Sequence, residues 1–135
     1  MNLRRSERLA GVHPDLVAVL QLAARRAPWD LLVLEGLRNV ERQKKMVAAG
    51  LSQTMNSRHI PNAAGVGHAV DLAPILDLDG DGQSDDASWH WEHYNQLAPI
   101  VKAAADELGV AITWGGDWES FKDGPHWQLP ASAYP

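Results

Sequence analysis

With no cysteine in the chain, the residues able to do chemistry are its six histidines and its acids. Thiolate metal sites and disulfides are excluded, so any metal must sit on imidazole or carboxylate. His59, Asp71 and His126 lie on three separate segments. Together they offer two imidazoles and one carboxylate, a set that holds catalytic zinc and leaves a fourth position for water. Asp123 stands three residues before His126. On an unbroken strand those two side chains would face opposite ways. Gly124-Pro125 breaks the strand between them, so both can aim at one point. A carboxylate beside a metal and its water is the general base that hydrolysis requires. Spacing by itself leaves the set open, because a histidine with an aspartate nearby also serves plain structural roles.

The other histidines compete less well. His90 and His93 are three apart on an expected helix, whereas zinc-protease helices pair histidines four apart. They read as surface or helix-packing groups. His68 alternates away from Asp71 along an expected strand and reads as a substrate contact, not a ligand. His13 marks a helix start. Trp114, Trp118 and Trp127 surround the Asp123/His126 block. Trp114 reads as core, while Trp118 or Trp127 is placed to wall a cleft and exclude water.

A second cation candidate lies at Asp77, Asp79, Asp81 and Asp85. These occupy positions 1, 3, 5 and 9 of a calcium loop, with Gly82 at position 6. Position 12 is Ser88, where a bidentate glutamate is expected, so closure must come from elsewhere, with Asp86 and Glu92 as candidates. The flanks do not read as the helix pair of an EF-hand. A polar turn is the plain alternative. Mutual repulsion of five aspartates within ten residues favours a bound Ca2+ at the cleft edge.

These groups need a scaffold. His13-Pro14-Asp15 opens a helix, with proline at its first position, that ends near Arg25-Arg26. Leu31 to Leu34 reads as a buried strand. Asn39 caps a second helix that Gly50 ends. Residues 51–65 read as loop, and His68 to Ala73 as a strand. Ser88 is expected to cap a third helix with an apolar stripe of Trp91, Tyr94, Ala98, Val101, Ala105 and Leu108. Pro99 should kink or split that helix, and Gly109 should end it. Val110–Trp114 and His126–Leu129 are the last strands, joined by a long loop with Gly115-Gly116. The order predicts an α+β domain, helices on a small, largely antiparallel sheet.

The 135 residues fit one domain, with 45% hydrophobic residues to build a core. No linker or repeat leaves room for a separate targeting or binding domain. No apolar run reaches membrane-span length, and no signal-peptide pattern follows the basic start. Residues 1–58 carry ten Lys/Arg against five Asp/Glu, and residues 59–135 carry two against twelve. The net charge of −5 is therefore local in origin. The basic half reads as a solvated helix face, with an anionic envelope surface as the alternative.

Three ordered blocks carry a resemblance. Ser57-Arg58-His59, Gly67-His68-Ala69-Val70-Asp71-Leu72, and Trp114-Gly115-Gly116-Asp117-Trp118 with Phe121-Lys122-Asp123-Gly124-Pro125-His126-Trp127-Gln128-Leu129 resemble phage endolysins that are L-alanyl-D-glutamate peptidases. These are grouped with D-Ala-D-Ala carboxypeptidases, on a fold shared with lysostaphin-type enzymes and hedgehog domains. The resemblance implies that His59, Asp71 and His126 bind Zn2+ and that Asp123 is catalytic. Aspartate at position 123, where the carboxypeptidase branch has glutamate, points to the phage branch. Glu35-Gly36-Leu37-Arg38 and Glu41-Arg42-Gln43 also fit the pattern. They imply that Arg38 binds substrate or stabilises the oxyanion; a surface arginine before a helix is the alternative. Ser57 and Gln43 join His68 and Trp118 as expected substrate contacts. The gap from His59 to Asp71 is longer than in compact relatives, which alters the cleft rim and not the ligands.

The implied partner is the peptidoglycan stem peptide, cut by a monomer with no nucleic acid and no membrane insertion. The implied setting is synthesis in a host cytoplasm and action on the periplasmic wall after release. The alternatives are a D-Ala-D-Ala carboxypeptidase or dipeptidase on the same fold, and a non-catalytic metal-dependent binding module. Asp123 argues against the last, because binding alone needs no base.

Overall fold

The computed structural model describes residues 2–50, 57–62, 65–83, 86–120 and 122–135. The first helix, α1 (Pro14–Arg26), has Pro14 at its first turn, and the His13 ring accepts the Asp15 amide at 3.0 Å. The second, α2 (Val40–Ala48), is capped by Asn39, whose side chain accepts the Arg42 amide at 2.8 Å. The third, α3 (Trp91–Leu108), ends on Gly109 with φ 70°, a conformation that glycine adopts without steric cost.

Around them lie β1 (Leu3–Arg4), β2 (Asp30–Glu35), β3 (Ala69–Leu76), β4 (Asp86–Ala87), β5 (Thr113–Trp114) and β6 (His126–Gln128). The sheet runs β1-β2-β3-β6-β5, with β4 also pairing β3. Only the β1–β2 pair is parallel among these described strands. The α+β fold with a largely antiparallel sheet is as the sequence predicts.

Alternation along the strands divides the sheet into two faces. Leu31, Val33, Val70, Leu72, Trp114 and Trp127 share one core with Leu16, Val19 and Leu20 of α1 and Leu97, Val101 and Ala104 of α3. Asp71 pairs with His126 across β3 and β6, so both project from the opposite face. One face thus carries the hydrophobic core and the other carries the ionisable groups. A bulge in β2 adds to this division. Val33 pairs with Leu72, but Glu35, not Leu34, pairs with Asp71. The extra residue turns Glu35 from the face of Val33 to the face of Asp71.

Several expectations are corrected. Ser88 is not the cap of α3; His90 holds that position, and the Ser88 hydroxyl accepts the His90 amide at 3.2 Å. Pro99 does not split α3. It lies on the solvent side, where the carbonyl left without a partner by the missing N–H can be hydrated. Trp91 and Leu108 leave the predicted apolar stripe and are 47% and 45% exposed, because they are the first and last residues of the helix. Trp127 is 1% exposed on the core face and stacks on Trp114 at 5.7 Å, so it cannot wall a cleft. The loop expected at 51–65 falls partly outside the described residues.

Candidate metal centre

Three elements deliver the three expected ligands. Asp71 sits mid-β3 and His126 opens β6, directly across the ladder. His59 comes from a turn in which the Ser57 hydroxyl accepts the His59 amide at 3.2 Å. The turn is tied to the sheet region by the Arg38 amide, which donates to the His59 carbonyl at 2.9 Å. His59 is 1% exposed and His126 is 6% exposed.

The ligand atoms converge. His59 Nε2 lies 3.2 Å from Asp71 Oδ1 and 3.3 Å from His126 Nδ1, and His126 Nδ1 lies 3.2 Å from Asp71 Oδ1. The far side of each ring fixes its tautomer. His59 Nδ1 lies 2.8 Å from the Gly36 carbonyl, which can only accept, so Nδ1 carries the proton and Nε2 is bare. His126 Nε2 lies 2.8 Å from Gln128 Oε1, so in the neutral ring Nε2 carries the proton and Nδ1 is bare. Two bare nitrogens and a carboxylate oxygen therefore face one another with no hydrogen among them. A cation resolves that arrangement. Tetrahedral zinc, with bonds of about 2.0–2.1 Å, separates neighbouring donors by roughly 3.3–3.4 Å. The spacing seen here fits it.

The electrostatics agree. Burial would raise the Asp71 carboxyl, but the charges and hydrogen bonds of His59 and His126 hold it well below the usual carboxylate range. Burial would lower His126, but Asp71 and Gln128 raise it above its ordinary value. The site favours positive charge. Asp123 shows the opposite behaviour. Burial first, and the Asp71 charge second, raise its carboxyl, against the pull of His126, His59 and Arg38. It belongs to the same charged group without joining the three converging ligands.

The turn bearing Asp123 is held in place by backbone. The Asp123 amide donates to the Gly115 carbonyl at 3.1 Å, and the His126 amide donates to the Asp123 carbonyl at 3.2 Å. The Trp114 indole donates to the Gly124 carbonyl at 2.7 Å. A Cβ at Gly115 would lie 2.3 Å from the Asp123 carbonyl oxygen, so only glycine permits this approach. Tyr94 is no rival base. Burial, then Asp123 and Asp71, push its phenol up, and it donates to the Ser88 carbonyl at 2.5 Å.

The expected surrounding residues are placed unequally. Trp118 lies against His126, with ring centroids 4.9 Å apart. Ser57 shapes the His59 turn. Gln43 is fully buried, and its Oε1 accepts from Arg38 Nη1 at 2.8 Å, which corrects its assignment as a substrate contact. His68 is also corrected: it is 4% exposed, packed near His13 and Tyr134 and away from the converging ligands. Arg38 is buried among Glu35, Gln43 and Asp71. Gln128 and the Gly36 carbonyl were not foreseen. Gln128 had a usable signal, since two residues along a strand is the same face as His126.

In the acidic loop, oxygens of Asp77, Asp79 and Asp86 meet. Asp81 is not among them; its Oδ1 accepts the Gln83 amide at 2.8 Å. Asp85 lies outside the described residues. His90 and His93 contact each other through their rings and join no metal-competent group of described residues.

An α+β domain with a His–Asp–His cluster able to hold a cation, beside a buried carboxylate, is an arrangement found in metal-assisted hydrolases. Residues 1–128 match the family of phage L-alanyl-D-glutamate peptidases. The fold matches the crystal structure of the Serratia marcescens L-Ala D-Glu endopeptidase ChiX, with a TM-score of 0.85 and 44% identity, covering 100% of this chain and 94% of that one. The L-alanyl-D-glutamate peptidase of Escherichia phage T5 is 28% identical over 120 residues, 87% of this chain and 80% of the phage protein. The peptidoglycan L-alanyl-D-glutamate endopeptidase CwlK of Bacillus subtilis is 27% identical, over 82% of this chain and 66% of that protein. The chain belongs to the phage L-alanyl-D-glutamate peptidase family.

Proposed function

We propose that this chain hydrolyses the bond between L-alanine and D-glutamate in peptidoglycan stem peptides, with zinc held by His59, Asp71 and His126. The observation that carries the reading is the meeting of two bare imidazole nitrogens and one carboxylate oxygen beside Asp123. Membership of the family supports the choice of bond. When bound, zinc supplies Lewis acidity to the scissile carbonyl and to water. Asp123 takes a proton from the attacking water and returns it to the departing glutamate amine, so one C–N bond is exchanged for one C–O bond. Its raised affinity for protons suits it to hold that proton between the two steps. Trp118 covers one side of His126 and limits water there.

The test is mass spectrometry of purified peptidoglycan after digestion, with and without chelator. New D-glutamate amines that vanish with chelator are expected. Release of free alanine would assign the chain to the carboxypeptidase reading, and intact peptidoglycan would leave a binding module.

Two settings fit the same chemistry. Phage relatives support a lytic one, in which the enzyme is made in a host and reaches the periplasmic wall once the membrane is breached. The higher identity to a bacterial endopeptidase supports a bacterium's own wall enzyme. Complete lysis of permeabilised Gram-negative cells favours the first, and limited cleavage without lysis the second. The acidic loop is read as a weaker, calcium-type site, supported by the convergence of Asp77, Asp79 and Asp86.

A further inference from the structure

We propose that Glu35 is a positioning residue for the metal centre. It locks Arg38 so that one guanidinium spans Glu35 and Asp71 and leaves Asp71 Oδ1 alone to face the two histidines. The inference rests on the metal-centre reading above.

The β2 bulge sets Glu35 directly across the ladder from Asp71. Two carboxylates opposed on one face of neighbouring strands repel. Arg38 relieves the repulsion. Its Nε and Nη2 donate to Glu35 Oε1 and Oε2 at 2.8 and 3.2 Å, a forked pair that fixes the guanidinium plane. Nη1 donates to Gln43 at 2.8 Å, and Nη2 lies 3.6 Å from Asp71 Oδ2. Arg38 and Gln43 are 5% and 0% exposed, so this is an interior network and not a surface ion pair. Asp71 is thereby divided, with Oδ2 on the cationic side and Oδ1 on the histidine side.

The same short segment also serves His59. The Gly36 carbonyl holds His59 Nδ1, and the Arg38 amide holds the His59 carbonyl. A Cβ at Gly36 would lie 2.2 Å from the Arg8 carbonyl, so only glycine lets the segment lie this close to Arg8. Residues 35–38 thus orient two of the three ligands. Three of Arg38's donated bonds are committed to this network, which gives it a part in ligand orientation.

The experiment measures Zn2+ affinity by competition with a chromogenic chelator, and the visible spectrum of the Co2+-loaded chain. Glu35→Gln is expected to weaken zinc about 10–100-fold and to change the cobalt bands. Val101→Ala, a core substitution remote from the network, lowers thermal stability and should move neither readout. Arg38→Lys keeps the charge but loses the fork, and should behave like Glu35→Gln; it replaces that variant if Glu35→Gln fails to fold. Zinc affinity within threefold of wild type, with an unchanged cobalt spectrum, in the folded variants would overturn the proposal. A wild-type chain that binds no zinc would overturn the metal-centre reading itself, a result distinguishable from failure of Glu35 alone.

Discussion

Two places in the molecule gather acids and invite a cation, and they are built in opposite ways. At the His59–Asp71–His126 site the ligands are largely buried, and their outer atoms are tied to Gly36, Gln128 and Arg38. Their inner atoms face one another without a proton. In the loop at 77–86 the described acids are mostly exposed and already accept from the loop's own amides. Asp77 takes Gly80 and Gly82, Asp79 takes Asp81, and Asp86 takes Leu78 and Asp79. The Asp81 amide lowers the Asp79 carboxyl, but slight desolvation, the Asp86 charge and the Asp77 and Asp81 side chains together raise it above its ordinary value. The first site cannot satisfy itself without a positive charge. The second only tolerates its own crowding. A buried cluster with tied outer atoms is therefore a stronger sign of a catalytic metal than a denser cluster of aspartates in water.

The largest effect expected is at the first site. His126→Ala or Asp71→Asn should reduce stem-peptide hydrolysis to background, and chelation followed by zinc should remove and restore wild-type activity. Survival of activity in either variant would end the contrast. Asp123→Asn comes next, with kcat down by about 10²–10⁴-fold and zinc affinity retained, because its proposed role is that of a base and not a ligand. Gly115→Ala should lower kcat up to about 100-fold in a folded protein, since it displaces the Asp123 turn.

A fourth test reads pH. Burial would raise Glu35, but Arg38 and Arg42 hold its carboxyl below the ordinary 4.5. A depressed folded-state value means that ionised Glu35 stabilises above pH 4.5 and that this contribution fades as pH falls through the folded value. In urea titrations of chelated protein, Glu35→Gln should cost on the order of 1–3 kcal/mol at pH 7, with the gap narrowing below pH 4.5. The smallest effect belongs to the loop. Calcium at roughly five times its dissociation constant should add about 1 kcal/mol of stability, abolished by Asp77→Ala with Asp79→Ala. A calcium effect as large as that of zinc would erase the distinction between the two regions.

Much of this was legible in the sequence. Pro14, Asn39 and Gly109 announce helix ends through local backbone chemistry, and α1 and α2 begin where those residues place them. The ordered blocks around His59, Asp71 and Asp123–His126 named the residues that the fold brings together. Local cues failed where packing decides which groups are buried. Gln43 looked like a substrate contact because it sits in a motif, yet burial turned it into a support for Arg38. Trp127 looked like a cleft wall, yet its strand parity puts it in the core.

The sequence by itself determined the candidate ligand types, the absence of thiolate chemistry, and the residues that open and close the helices. Each follows from a side chain's own chemistry or its immediate neighbours. Only the tertiary structure decided which face each group occupies and which atom it presents. A single bulged residue in β2 sets Glu35 opposite Asp71, and Arg38 lies between them, beside Asp71 Oδ2 and away from the Oδ1 that faces the two histidines. Register and bulge are properties of paired strands, so no single stretch of chain could reveal them.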